Sequence, residues 1–104
     1  MTTNNDSFSA RVYQQTKKIP RGYVTTYKAL AQALNTKAYR AVGNALRNNP
    51  DAPQTPCHRV IRSDATLGGY AGKLNDNKKR DLLVQEGVTF LADGRVHPSC
   101  IHQF

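Results

Sequence analysis

The segment TPCHRVI, residues 55–61, places a thiol, an imidazole and a guanidinium in three consecutive residues. Cys57 could act as a nucleophile, because a thiolate attacks carbon readily, and His58 is the residue type that takes up a proton near neutral pH. A lone cysteine is nevertheless more often a small buried apolar residue. In an extended segment the two neighbouring side chains also point to opposite faces, so they would communicate only through a bend or a water molecule. The pair alone leaves both interpretations open.

The length and composition predict one globular domain spanning residues 1–104, with 38% hydrophobic residues. No apolar run approaches the length of a membrane span, and the polar start MTTNNDS is unlike a secretory signal. We therefore expect an intracellular protein, in the cytoplasm of a prokaryote or the nucleus of a eukaryote. In such a compartment Cys57 and Cys100 are expected to be free thiols.

The charge of the chain is strongly basic, since 15 Lys and Arg residues against 7 Asp and Glu give a formal net charge of +8. The stretch from Ser7 to Pro50 contains no acidic residue and eight basic ones: Arg11, Lys17, Lys18, Arg21, Lys28, Lys37, Arg40 and Arg47. This distribution indicates a polyanionic partner. Nucleic acid is favoured over a membrane surface, because no strongly amphipathic segment accompanies the charge.

Three helices are predicted before the cysteine segment. Ser7 is the expected N-cap of a first helix that ends at Pro20, and Thr26 that of a second helix reaching residue 34. Thr36 is the expected N-cap of a third helix over residues 37–49. Its apolar stripe comprises Ala38, Val42, Ala45 and Leu46, and its opposite side carries Arg40, Gly43, Asn44 and Arg47. Two short helices joined by a tight turn resemble a helix-turn-helix.

The second half of the chain is predicted to be less regular. Three prolines make residues 48–56 an extended connection, and CHRVI is expected to be a short strand or extended segment. LGGYAGK, residues 67–73, is a glycine-rich loop that lets backbone approach a ligand closely. A last helix is predicted from Asp76 to Glu86 and closed by Gly87, followed by a hairpin around residues 93–94.

Four segments follow one another along the chain: RAVGNALRNNP at 40–50, PCHRVI at 56–61, LGGYAGKL at 67–74 and LLVQEGV at 82–88. In this order they resemble the O6-alkylguanine-DNA alkyltransferase family, and the resemblance extends from Phe8 to Val88. It implies a mainly α fold with short β elements, a winged-helix-like domain whose recognition helix lies in the minor groove of double-stranded DNA. It also implies methylated-DNA–[protein]-cysteine S-methyltransferase activity: irreversible, single-turnover transfer from O6-alkylguanine without a cofactor.

The resemblance assigns a catalytic role to four residues. Cys57 would accept the alkyl group, and His58 would remove the thiol proton through a bridging water. Glu86 would accept a hydrogen bond from the other ring nitrogen of His58 and fix its tautomer. The hydroxyl of Tyr27 would donate to a guanine ring nitrogen as the leaving base gains charge.

The resemblance also implies DNA and substrate contacts. Arg40 would fill the space left by a flipped nucleotide, and small residues beside it permit close approach to the minor groove. The DNA-binding set is Arg40, Ala41, Gly43, Asn44 and Arg47. The pocket would use the carbonyls of Cys57 and Val60 together with Tyr70, Ala71 and Gly72. Asn49 and Arg59 would support the cysteine segment.

The sequence departs from the family pattern at several points. A separate N-terminal domain has no room here, Ala71 stands where serine is frequent, and NDNKK resembles an insertion before the last helix. The terminal HPSCIHQF lies outside the resemblance. Its His97, Cys100 and His102 are ligand types, but three such residues on a tail are weak grounds for a metal site, and no metal is expected.

Two alternative functions remain open. Alkyltransferase-like proteins share this size and DNA-binding module but lack the acceptor cysteine, and they flag lesions for excision-repair proteins instead of repairing them. Cys57 argues against that class, while the length favours it. A winged-helix transcription regulator would explain the helix-turn-helix but leaves PCHRV and the glycine loop unexplained. The sequence favours repair by a monomer.

Overall fold

The computed structural model of the chain describes residues 7–50, 54–67 and 78–104. Its helices and strands are, in order, α1 (Phe8–Thr16), β1 (Thr25–Thr26), α2 (Tyr27–Ala33), α3 (Tyr39–Arg47), β2 (Val60–Ile61) and α4 (Lys78–Gln85). Two 3-10 turns accompany them, at Cys57–Arg59 and Pro98–Cys100. The expected mainly α fold with short β elements is confirmed. None of the helices described is long and apolar enough to cross a membrane.

The N-caps predicted for the first two helices are confirmed. The Ser7 hydroxyl oxygen accepts from the Ala10 N–H over 3.0 Å, and Thr26 Oγ1 accepts from the Ala29 N–H over 3.0 Å. Helix α1 ends at Thr16, however, before the predicted Pro20. The chain continues through tight turns to Ile19, and helical conformation is disfavoured at Ile19 because it precedes a proline.

The start predicted for the third helix is wrong. Helix α3 begins at Tyr39 with Ala38 as its N-cap, and no side chain caps it. Thr36 Oγ1 instead accepts from the Ala38 N–H over 3.1 Å, within the loop. The chain reverses at Asn35, which has a φ of 57°, and then needs three non-helical residues to reach α3. Ala38 is therefore exposed, while the rest of the predicted stripe, Val42, Ala45 and Leu46, is buried.

The sheet joins two apolar clusters. β1 and β2 are parallel, with Thr25 opposite Val60 and Thr26 opposite Ile61. Val60 packs with α1, α2, α3 and Cys57, whereas its neighbour Ile61 packs with α4 and the C-terminal segment, because successive strand residues face opposite sides. Both side chains are fully buried, and burying a side chain of this size contributes about 1.5–3 kcal/mol.

The last helix and the hairpin turn follow the prediction closely. Helix α4 is described from Lys78, ends at Gln85 and is closed by Gly87, whose φ is 89°. The start predicted at Asp76 lies outside the described residues. The turn at residues 93–94 is confirmed, but its strands reduce to one antiparallel bridge between Phe90 and Val96. The chain then returns to β1, where Ile101 bridges Val24.

Candidate active site

The cysteine segment folds as a 3-10 turn followed by a strand. Cys57–Arg59 form the turn, and only Val60–Ile61 are extended, so the prediction of an extended segment is wrong for its first three residues. Pro56 precedes the turn with a ψ of 65°, and the Arg59 N–H closes it on the Pro56 carbonyl over 2.9 Å. Because a 3-10 helix has three residues per turn, its three side chains point in different directions instead of alternating across a strand.

The turn is fastened to the end of α3. Asn49 Nδ2 donates to the Thr55 carbonyl over 2.8 Å, and the Cys57 N–H donates to the same oxygen over 2.8 Å. Thr55 is buried, so this double acceptor lies away from solvent. The Asn49 side chain therefore connects the segment after α3 with the cysteine turn.

Glu86 contacts both residues that follow Cys57, His58 and Arg59. His58 Nε2 lies 2.9 Å from Glu86 Oε2. Arg59 donates to the same carboxylate with two nitrogens on one edge of its guanidinium, Nε to Oε1 at 2.8 Å and Nη2 to Oε2 at 2.8 Å. Arg59 Nη1 also donates to the Ile19 carbonyl over 2.8 Å, which anchors the guanidinium to the chain beyond α1. A fork of this kind is among the stronger polar contacts in proteins.

Burial and neighbouring charges shift the pKa values of His58 and Glu86. Burial lowers the pKa of His58, the contact with Glu86 opposes this, and the cations of Arg59 and Lys79 lower it further, leaving it below its ordinary value. Burial alone would raise the pKa of Glu86, but hydrogen bonds from Arg59 and His58 outweigh burial and hold it below its ordinary value. Glu86 is therefore an ionised acceptor, and the His58 hydrogen lies on Nε2.

Lys79 is a site residue that the sequence analysis missed. Its side chain is 1% exposed, and Nζ donates to the Val60 carbonyl over 2.7 Å. The same ammonium lies 5.9 Å from the centroid of the Tyr27 ring. Burial lowers the pKa of Lys79 to about 8, a shift that the Cys57 charge opposes. The helical spacing of Lys79, Leu82, Leu83 and Glu86 was the available signal, because it places the lysine on the buried stripe of α4.

Among the residues that the structure describes, two tyrosines lie within electrostatic reach of Cys57, which is itself 6% exposed. Burial, and then the Cys57 charge, raise the pKa of Tyr27 at the start of α2. The same two causes raise the pKa of Tyr13, which the sequence analysis did not single out. The Tyr13 hydroxyl donates to the Ala45 carbonyl over 2.7 Å and so joins α1 to α3. The structure thus brings Tyr27, Cys57, His58, Val60, Arg59 and Glu86 into one neighbourhood.

The outer face of α3 carries the predicted DNA-binding residues. Arg40, Ala41, Asn44 and Arg47 are exposed, and Gly43 is half-buried. A Cβ built at Gly43 would have no neighbouring atom within 4 Å among the described residues, so packing inside the chain does not require glycine there. These residues form a basic surface apart from the Glu86 group.

The remaining sequence expectations concern the glycine loop and the tail. Tyr70, Ala71 and Gly72 lie outside the described residues. In the tail, His97 Nδ1 accepts from the Ser99 N–H over 3.0 Å, Cys100 is buried, and the His102 ring packs edge-on against Phe104. Across residues 7–50, 54–67 and 78–104, no three His, Cys, Asp or Glu side chains form a group that could hold a metal ion. Both cysteines are free, as predicted.

Comparison with known proteins places this site in a family. The family model described as 6-O-methylguanine DNA methyltransferase, DNA binding domain, matches residues 7–88. The methylated-DNA–protein-cysteine methyltransferase of Pyrobaculum aerophilum is 52% identical over 70 residues, which are 67% of this chain and 45% of that protein. The rat protein of the same name is 45% identical over 85 residues, 80% of this chain and 40% of that protein. The chain therefore spans less than half the length of these two curated relatives.

Solved structures give the same result. Mycobacterium tuberculosis OGT, crystallised with DNA, has a TM-score of 0.72 and 39% identity over 84% of this chain and 52% of that chain. S. pombe Atl1, crystallised with damaged DNA containing O6-carboxymethylguanine, has a TM-score of 0.78 and 26% identity over 100% of both chains. The family match over residues 7–88 and the identities to the curated relatives show that this chain belongs to the 6-O-methylguanine DNA methyltransferase family and carries its DNA-binding domain.

Proposed function

We propose that this chain repairs O6-alkylguanine in double-stranded DNA by transferring the alkyl group to Cys57. The observation that supports this most is the turn Cys57–Arg59, in which the thiol is followed directly by a histidine whose ring is held by Glu86. A nucleophile, a base and a residue that orients the base are the three parts that activated thiols require. The curated relatives carry the corresponding name, methylated-DNA–protein-cysteine methyltransferase.

The transfer is a single displacement at carbon. His58 takes the Cys57 proton, through a bridging water, and the thiolate forms a bond to the alkyl carbon as the bond from that carbon to the guanine oxygen breaks. The electron pair stays on the leaving guanine, which gains a proton, and the Tyr27 hydroxyl donates to a ring nitrogen of that base. The product is a thioether on Cys57. A thioether is stable and the proposed reaction includes no regenerating step, so each chain repairs one lesion without a cofactor.

The Val60 carbonyl, which accepts a hydrogen bond from Lys79, is part of the proposed base pocket. In this proposal the Cys57 and Val60 carbonyls accept from the guanine amino group, and Tyr70, Ala71 and Gly72 complete the wall. Val60 already accepts from Lys79, but a carbonyl oxygen has two lone pairs and can accept twice. In our proposal the hydrogen bond from Lys79 holds this carbonyl in place for the base.

Access to Cys57 requires a base outside the helix. The thiol is 6% exposed, so an alkyl group on a stacked base cannot reach it, and the target nucleotide has to be turned out of the duplex. In our proposal α3 lies in the minor groove, with Arg40 filling the vacated space and Ala41, Gly43, Asn44 and Arg47 contacting the groove and its phosphates. In our proposal Asn49 and Arg59 hold the cysteine turn in a fixed position relative to α3. The chain acts as a monomer.

A lesion sensor is the second candidate. The match to S. pombe Atl1 covers both chains completely, and that protein was crystallised with a damaged guanine. A sensor of this kind would bind O6-alkylguanine and pass it to excision-repair proteins without changing it. Cys57 at the head of the turn favours repair over sensing.

The two functions are separated by the state of the DNA. We expect wild-type protein, incubated in excess with a duplex containing O6-methylguanine, to return the modified base to guanine, as measured by nucleoside chromatography. Cys57→Ser should bind the same duplex but leave its base unchanged, because the hydroxyl fills similar space and is a poorer nucleophile. Tight binding by wild type with the modified base intact would instead support the sensor.

A further inference from the structure

Among the described residues, Glu86 accepts hydrogen bonds from the side chains of His58 and Arg59. It accepts one hydrogen bond from His58 and two from Arg59, all between 2.8 and 2.9 Å. A carboxylate facing histidine alone favours the imidazolium, because the opposite charge stabilises it. Here the guanidinium already neutralises the carboxylate that His58 contacts.

The other charges around His58 add to the effect of the Arg59 guanidinium on Glu86. His58 is 1% exposed, and the charged groups of the described residues that act on it include the Glu86 carboxylate, the Arg59 guanidinium and the Lys79 ammonium. Cys57 precedes it in the turn, and Arg21 lies 4.0 Å from Glu86 but is largely in solvent. Among these described groups one anion faces two cations in a buried space, and protonating His58 would add a third positive charge there.

The geometry points to a specific task for Arg59: we propose that it keeps His58 a neutral base by occupying the Glu86 carboxylate, and so acts as a positioning residue for the nucleophile. Glu86 holds the imidazole hydrogen on Nε2, which leaves Nδ1, a fully buried atom, as the nitrogen that can receive a proton. Without Arg59, the His58–Glu86 contact would become an ion pair, and the imidazolium would have no lone pair to offer. The proposed alkyl transfer explains why a neutral His58 is needed, and this inference rests on the proposed function only in that respect.

The test is a titration of the His58 ring by NMR in the full chain without DNA. The chain has three histidines, so His97 and His102 serve as internal references, and His58→Gln assigns the His58 signal. In wild type we expect His58 to be neutral at neutral pH, with its hydrogen on Nε2. In Arg59→Gln its pKa should rise by about 1 or more. Arg59→Lys should largely restore the wild-type curve, because the charge returns without the fork.

Two further variants separate charge from damage to the fold. Arg21→Gln removes a cation near the same carboxylate but from an exposed side chain, and should have a much smaller effect. In Arg59→Gln combined with Glu86→Gln the increase should disappear, because the carboxylate that Arg59 neutralises is gone. If Arg59→Gln does not fold, the His58 titrations of the wild-type protein and of Arg59→Lys still test the role of Arg59.

Three results would overturn the role of Arg59. They are a wild-type His58 that is an imidazolium at neutral pH, a titration unchanged in folded Arg59→Gln, and an Arg59→Lys curve displaced as far as that of Arg59→Gln. None of these depends on alkyl transfer. A protein that transfers no alkyl group but shows the expected titrations would reject the proposed function and leave the role of Arg59 in setting His58 intact.

Discussion

The side chain of Asn49 and the backbone N–H of Cys57 donate to the same oxygen, the Thr55 carbonyl, each over 2.8 Å. Asn49 lies two residues beyond the end of α3, and Cys57 begins the turn that carries the proposed nucleophile. One buried acceptor therefore connects the basic helix with the thiol. In the proposed function, a displacement of α3 on DNA would be transmitted to Cys57 through this carbonyl.

Removing the Asn49 amide should loosen that connection. We expect Asn49→Ala to lower the free energy of unfolding by about 1 kcal/mol, since it deletes one side-chain hydrogen bond to a buried carbonyl. Asn49→Asp should cost more, because a carboxylate would face the carbonyl oxygen. Urea denaturation measures both. Asn48→Ala, on the exposed neighbour, is the control and should change stability by less than about 0.5 kcal/mol.

Arg40 and Arg47 should have separable effects on DNA binding. Both are exposed on α3, but only Arg40 is proposed to enter the base stack. Arg40→Ala should weaken binding and slow repair while leaving the fold intact. Arg47→Ala should mainly reduce the salt dependence of binding, by about 0.9 in the slope for one phosphate contact. Equal effects of both changes on salt slope and repair would contradict this division.

Lys79 should produce a rise of stability in alkaline solution. Its pKa is about 8 in the folded chain, against an ordinary 10.5. The unfolded chain therefore binds more protons between these values, and the free energy of unfolding increases as pH rises through the window, by at most about 3 kcal/mol. Lys79→Met should lack this rise, whereas Lys78→Met, on the exposed neighbour, should keep it. Parallel curves for wild type and Lys79→Met would be the contrary result.

Acid should destabilise the fold through His58 and Glu86. Both groups have pKa values below their ordinary 6.5 and 4.5, so each contributes stability that is complete above its ordinary value and is lost as pH falls. We expect thermal stability to decline from pH about 6.5 downward. His58→Gln should flatten the upper part of that decline and Glu86→Gln the lower part. A wild-type curve that is flat over this range would argue against both shifts.

The sequence predicts local features of this fold better than contacts between distant segments. Ser7 and Thr26 cap helices through side chains three residues from the N–H groups they bind, and the turn at residues 93–94 depends on its own glycine. Thr36 has the same residue type as Thr26 but does not cap α3. The left-handed residue Asn35 redirects the chain, and the helix starts later than the local pattern indicates.

In the candidate site, too, contacts between distant segments could not be predicted from the sequence. Cys57, His58 and Glu86 carry a recognisable pattern, but the fork from Arg59 to Glu86 joins residues 27 positions apart. The contact of Lys79 with the Val60 carbonyl is also long-range in sequence, at 19 positions, and places a charged side chain where the helical pattern alone would favour an apolar one. Such contacts depend on the packing of α4 against the cysteine turn, which no short segment encodes by itself.

Cys57 as the alkyl acceptor is the central claim, and the intact mass of the protein tests it most directly. After incubation with a duplex containing O6-methylguanine, wild-type protein should gain the mass of one CH₂ unit. Peptide mapping should place it on Cys57 and not on Cys100, and the modified fraction should reach a plateau at one group per active chain. Cys57→Ser should gain nothing. A wild-type protein that binds the lesion tightly while its mass never changes would contradict the account.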